Sequence, residues 1–210
     1  LWFNDFYMNF FTKERIILCK NENYLVILQS NKHHTNKMLQ TLPVAKYIAD
    51  EYKKLFGQQI DEMKLHKLMY FTQRESIIKT GVHILDSEFH AWKYGPVLPE
   101  VREAFKAITL GKPLSKEEIE PFKSVFEKIM THYAPKKTMS LVCLTHAELS
   151  WKRARVGYGK YDSSDVPMSL ADIYEDAAIA KRQREEARIL RSLQEHIDSH
   201  RAEYQNLYIM

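Results

Sequence analysis

The chain has 210 residues, of which 45% are hydrophobic, 28% charged and 12% aromatic, the balance of a globular protein rather than a disordered or fibrous one. At this length a domain of about 130–150 residues with appendages builds its own core without disulfides or a structural metal; Cys19 and Cys143 form no CxxC pair and fit a reducing cytoplasm. The net charge of +4 comprises +2 from residues 1–37 (five basic, three acidic), +1 from 177–210 (six basic, five acidic) and +1 from the middle, which is no footprint for a polyanion, and no apolar run is long enough to span a bilayer.

The apolar opening Leu1–Phe11 is broken by Asn4, Asp5 and Asn9 and has neither a basic region before it nor a small-residue cleavage site, so it reads poorly as a signal peptide. A β-hairpin is expected from Arg15–Cys19 and Tyr24–Gln29 around Lys20–Asn23, because both runs are rich in branched and aromatic residues. Residues 1–37 otherwise fit the rest badly, and Met38 stands directly before the first strong helix signal. They are expected to be a loosely attached extension, with translation starting at Met38 as one explanation.

Val44, Ile48, Tyr52 and Phe56 then recur at i, i+4 in a helix over 42–56 that has Pro43 in its first turn and Gly57 as its stop. A second helix, 62–79, lies between Asp61 as N-cap and Gly81, with Leu65, Leu68, Met69 and Thr72 on one face. Residues 82–98 read as a structured connector with one or two short strands, since Gly95-Pro96 and Pro99 interrupt any helix. The third helix is expected from Pro99 to Leu110 with Val101, Phe105 and Ile108 inward and Gly111 as terminator. A fourth starts at the Ser115/Glu118 capping box, is interrupted at Pro121, and buries Phe122, Val125, Phe126 and Ile129. A short fifth helix capped by Thr138 or Ser140 carries Leu141, Leu144 and Thr145, and a loop follows at Gly157–Pro167.

From Ser169 onward the pattern is a long helix, 170–208, with Leu190, Leu193, Ile197, Tyr204 and Leu207 in one apolar line. That line is expected to pack on the body, or otherwise on another chain, which would make a homodimer through this helix. The fold class expected is therefore mostly α: five to six helices, an extended connector at 82–98, a long C-terminal helix and an N-terminal hairpin extension. The domains expected are 1–37, 38–176 and 177–210.

Catalytic and metal signals are weak. His196 and His200 share a helix face but have no third ligand nearby in sequence, His33-His34 has none either, and His66, His83 and His132 read as surface or capping residues. No phosphate-cradling glycine motif, H-E-x-x-H or G-x-S-x-G occurs in the sequence. Cys143 and His146 have the types for a thiol nucleophile and base, yet their spacing on a short apolar helix reads as a buried small side chain beside a capping imidazole. The pairs Asp61/Glu62 and Asp86/Glu88 read as solvated charge. No cofactor is expected.

Two segments carry the functional reading. In Phe89–Val97, Trp92 and Tyr94 alternate, Gly95 permits a close backbone approach and Pro96 fixes its direction, so the rings either plug the core or present an aromatic anchor to another protein. In Leu144–Arg155, Trp151 with Arg153 and Arg155 either grips a partner or docks on the core, with His146 beside it. In this order, KLHKLMYF at 64–71, FHAWKYGPV at 89–97, PEVREAFK at 99–106, LTH at 144–146 and WKRAR at 151–155 resemble the Panacea domain of bacterial and prophage antitoxins over about 42–175. The resemblance implies a mostly helical, non-enzymatic, cytoplasmic domain that neutralises a protein toxin, encoded by an adjacent gene, through direct binding. Some relatives are implied to act instead as adaptors that deliver the toxin to an ATP-dependent protease. On that basis Trp92, Tyr94, Gly95, Pro96, His146, Trp151 and Arg155 are the candidate partner-binding or motif-organising residues. The segments 1–37 and 177–210 lie outside the pattern. A nucleic-acid regulator would rest on Arg182, Arg184, Arg188 and Arg191, diluted by Glu185 and Glu186.

Overall fold

The computed structural model describes residues 18–21, 24–27, 38–159 and 162–201. The chain divides into two compact units, 1–36 and 37–210. In the first, β1 (Leu18–Asn21) pairs antiparallel with β2 (Tyr24–Ile27), Leu18 opposite Ile27 and Asn21 opposite Tyr24. The first strand thus runs beyond Cys19 and the turn is shorter than the four residues expected; Arg15–Ile17, Gln29 and the His33-His34 pair lie outside the described residues.

The second unit is built around one helix. α1 (Thr41–Phe56) packs on α2 (Glu62–Thr80), and both end at glycines with positive φ, Gly57 and Gly81. Gln40 at the N-cap of α1 makes no capping bond through its side chain. Asp86 takes over that role from the connector, where its Oδ1 accepts from the Thr41 backbone N–H at 3.0 Å and the Thr41 hydroxyl at 2.6 Å. A carboxylate there also meets the positive end of the helix dipole, so Asp86 is an anchor and not merely solvated charge.

The expected one-sided burial of α2 is corrected: every residue from Lys64 to Ile77 is buried. A helix can be enclosed on all sides with polar residues aboard only if each finds a partner. Gln73 Oε1 accepts from the Ile84 and Leu85 N–H groups at 3.0 and 2.9 Å, and so holds the connector against α2. Lys64 Nζ donates to the Tyr52 hydroxyl at 3.1 Å, and Tyr70 OH to Asp176 at 2.9 Å. Glu75 receives Arg184 at 2.8 Å and the Tyr133 hydroxyl at 2.7 Å. Burial opposes ionisation of Glu75, but these donors outweigh it and hold its pKa at about 2. Arg74 pairs with Glu148, whose carboxyl is raised to about 7 by burial despite that guanidinium.

Around α2 lie the β3 (His90–Trp92) and β4 (Gly95–Val97) hairpin, α3 (Pro99–Lys106), α4 (Lys116–Ile119), α5 (Lys123–Lys128), α6 (Thr138–Ala147), α7 (Leu149–Ala154) and α8 (Leu170–Ser199). The Ser115/Glu118 capping box opens α4, and Pro121 sits in a 3-10 turn between α4 and α5. Neither Thr138 nor Ser140 caps α6; the N-cap is Lys137, and the Thr138 hydroxyl instead donates to Asp61 at 2.8 Å. A bend at Glu148 separates α7, which the sequence did not distinguish from α6. Asp176 of α8 caps it from outside by accepting from the Leu149 and Ser150 N–H groups at 2.6 and 3.1 Å.

Two expectations are overturned. α3 ends at Lys106, not Leu110, because Ile108, three residues ahead of the expected terminator Gly111, already turns left-handed, φ 58°, and faces solvent. The Ile108 and Thr109 N–H groups donate back to the Phe105 and Ala104 carbonyls at 3.2 and 2.8 Å, the pair of hydrogen bonds of a glycine-type helix stop. The apolar line of α8 does not pack on the body either. Burial on α8 includes Ile173, Asp176 and Ala177, and Arg184 bonds to the body through Glu75, whereas Leu190, Leu193 and Ile197 are 66%, 54% and 50% exposed. Tyr204 and Leu207 lie outside the described residues. No described helix is long and apolar enough to cross a membrane.

A β-branched residue in the left-handed region carries about 1–2 kcal/mol of strain. Ile108→Gly is therefore expected to raise stability by about 1 kcal/mol after its unfolded-state entropy is allowed for. A higher urea midpoint at unchanged slope would show it; a lower midpoint would contradict it.

Candidate partner-binding cleft

The hairpin is held against α2 and α6 by a contact only glycine permits. Gly95 has φ 100°, and a Cβ there would lie 2.6 Å from Thr145 Oγ1 and 2.8 Å from Lys67 Cε. The next carbonyl, Pro96 O, accepts from Lys67 Nζ at 2.9 Å. Lys67 is 1% exposed, and burial lowers its pKa to about 7. Adjacent His66 is equally enclosed; its Nδ1 accepts from the Leu98 N–H at 3.3 Å, and burial, then Lys67 and Arg102, push it down to about 3. The surface or capping role expected for His66 is thus replaced by a core position.

The other side of the hairpin is secured by the loop before α8. Ala91 N–H donates to Val166 O at 2.8 Å, Met168 N–H donates to Phe89 O at 2.7 Å, and Ser164 Oγ donates to Ala91 O. Asp165 Oδ1 meets Trp92 Nε1 and His90 Nδ1, both at 2.7 Å, and these hydrogen bonds hold its carboxyl below the usual range. The strand stops at Trp92, so Trp92 and Tyr94 do not alternate along one extended run. Lys93 and Tyr94 form the turn, and Tyr94 is 49% exposed at its tip.

The second aromatic segment braces the first. Trp151 Nε1 donates to Trp92 O at 2.9 Å, and the Trp151 ring stacks on His146 with centroids 3.9 Å apart. The Arg155 guanidinium lies 5.2 Å from the Trp151 centroid and 5.7 Å from that of Tyr158. Arg155 is 6% exposed and donates to Gly159 O and Asp162 O, each at 2.9 Å, and to Ser164 Oγ. This geometry ties the loop to α7. Arg153 is engaged by Asp172 and Glu175, both at 2.6 Å. Cys143 is exposed rather than the buried side chain expected, and burial, Lys67 and Arg155 hold His146 below its ordinary pKa.

Between hairpin, α2, α3 and loop opens a cleft of about 610 Å³. His66 and Lys67 line it together with Trp92 and Tyr94, and Tyr158 adds a third ring. At one wall the Arg102 guanidinium lies over the Trp92 ring, 4.7 Å from its centroid, while bonding Glu62 at 3.1 Å. Trp92, Tyr94, Gly95 and Pro96 therefore belong to one site, with His146, Trp151 and Arg155 as the layer behind it. His66, Lys67, Arg102, Tyr158 and Asp165 are members the sequence did not single out. The cluster HKL at 66–68 carried a signal, two basic residues set among Leu65, Leu68 and Met69, but only the tertiary surroundings tell a buried lysine from a snorkelling one. No group of three or more metal-ligating side chains is found among the described residues.

Residues 65–152 match the family model for the antitoxin SocA-like, Panacea domain. No curated protein and no solved structure matches the chain. The matched segment runs from inside α2 to α7. It contains His66, Lys67, the hairpin, Arg102, His146 and Trp151, whereas Arg155, the loop at 162–168 and α8 follow it. The match supports an antitoxin role for the segment and, with it, a non-enzymatic one.

Gly95→Ala adds an overlap to a strained φ, so a loss of about 2–4 kcal/mol is expected; an unchanged melting temperature would contradict the close approach. His66 has a folded pKa below its ordinary 6.5, so the unfolded protein binds the extra proton between pH 6.5 and 3 and stability is lost as pH falls through that window. His66→Asn, which keeps an acceptor for the Leu98 N–H, is expected to flatten the decline in melting temperature relative to the unmodified protein. Equal slopes would place His66 in solvent.

Proposed function

We propose that this protein is the cytoplasmic antitoxin of a toxin–antitoxin pair and neutralises its toxin by direct binding, with the β3–β4 hairpin and its cleft as the contact face. The observation that carries this reading is the position of Tyr94, an exposed ring on a braced turn at the mouth of a cleft within the Panacea segment. Aromatic anchors beside pockets dominate protein interfaces, and a rigid anchor loses little entropy on binding. A specific complex needs about 1,200–2,000 Å² of total buried surface, so the face around the cleft must contribute beyond the cleft itself. Residues 38–176 form the neutralising unit in this reading, with 1–37 and 177–210 as extensions. Trp92 and Tyr94 make contacts, while Gly95, Pro96, His146, Trp151 and Arg155 position them.

Arg184 speaks against the nucleic-acid alternative, because its guanidinium is bound to buried Glu75 at 2.8 Å. Occlusion and delivery to a protease differ in the fate of the toxin, whose cellular level stays constant under the first and falls under the second.

Co-expression with the product of the adjacent gene tests the proposal. The toxin should co-purify with this protein and growth should be restored; a harmless product that never co-purifies would contradict it. Tyr94→Ala is expected to weaken the complex at least about tenfold at an unchanged melting temperature, and full binding by that variant would remove the hairpin tip from the interface. Trp151→Ala is expected to lower the melting temperature.

A further inference from the structure

The cleft lining holds one donor without an acceptor among the described residues and a second with protons to spare. Because His66 Nδ1 accepts the Leu98 N–H, the neutral ring carries its proton on Nε2, and that buried N–H has no partner among the described residues. Lys67 Nζ, next along the same helix, donates to Pro96 O and has further protons to donate. The carboxylates of the lining are already engaged: Glu62 with Arg102, Asp165 with Trp92 and His90. The rings of Trp92, Tyr94 and Tyr158 in the same lining fit an apolar body beside an acceptor placed there.

We infer that the cleft is a subsite for a single carboxylate carried next to an aromatic side chain on the partner protein, with one oxygen on His66 Nε2–H and the other on Lys67 Nζ. The partner as its source rests on the antitoxin reading; the carboxylate chemistry does not. Two donors match the two oxygens of one carboxylate. The carboxylate is either the partner's terminal α-carboxylate or an internal Asp or Glu, and the two are separable with small probes.

The full-length protein, with its tryptophan and histidine side chains isotopically labelled, is titrated by NMR with N-acetyltryptophan, with its neutral amide, and with acetyl-Trp-Asp-amide. Saturable shifts of the Trp92 indole and His66 ring signals are expected with one or both carboxylate probes and not with the neutral amide. N-acetyltryptophan alone would identify a terminal α-carboxylate, and acetyl-Trp-Asp-amide a side-chain one. Lys67→Met, which keeps the stem and removes the donor, should weaken that binding at least tenfold; should it fail to fold, His66→Phe gives the same comparison. Equal binding of acid and amide, or no binding of any probe at 10 mM, overturns the subsite. The titration needs no toxin, so it decides the subsite even where the antitoxin reading fails. Undiminished toxin neutralisation by folded Lys67→Met overturns the partner as the source.

Discussion

A helix that carries lysine, histidine, arginine and glutamate through the middle of a protein must have nearly all of those groups met, and in α2 the His66 Nε2 and Arg74 Nε atoms are the exceptions among the described residues. From Lys64 to Ile77 α2 is enclosed on all sides, and an unmatched buried charge destabilises by about 3–5 kcal/mol when its partner is removed. The surrounding elements are consequently placed by polar partners as much as by apolar contact. Gln73 fixes the connector, Glu75 reaches α8 through Arg184, Tyr70 reaches it through Asp176, and Lys67 fixes the hairpin through Pro96 O. The aromatic core then fills the space between, as in the stacked Phe71 and Tyr133 rings, 4.3 Å apart.

This arrangement explains why the cleft sits where it does. A hairpin of two three-residue strands is too short to be stable alone. It persists because Lys67 and Thr145 receive Gly95-Pro96 on one side and the loop 162–168 holds Ala91 on the other. The turn that projects Tyr94 is thereby made rigid, while the same buried lysine and histidine form the floor beneath it. One segment of α2 thus supports the hairpin and equips the cleft.

Much of the architecture was legible from spacing, because local signals govern local structure. Asp61, Gly57, Gly81 and the Ser115/Glu118 box mark helix ends through their own backbone and side-chain chemistry. The all-round burial of α2 was not legible, since its apolar residues mark one face while its polar residues are satisfied by partners remote in sequence. Ile108 escaped because a β-branched residue at a left-handed stop breaks the local rule, while Gly111 nearby obeys it. The exposed line of α8 escaped for the opposite reason: a periodic apolar stripe shows that a face exists, not what lies against it. In the site, Trp92, Tyr94, Gly95 and Pro96 announced themselves by type and order. Asp165 and Tyr158 did not, as a loop aspartate and tyrosine become site residues only when the loop folds back on the hairpin.

The titration of Lys67 tests the central claim most directly. Following its side-chain ¹³Cε and ¹⁵Nζ signals by NMR across neutral and alkaline pH should give a midpoint near 7, far below the ordinary 10.5. A midpoint near 10.5 would mean that the amine is in water, and that neither the hairpin nor the cleft is built on it.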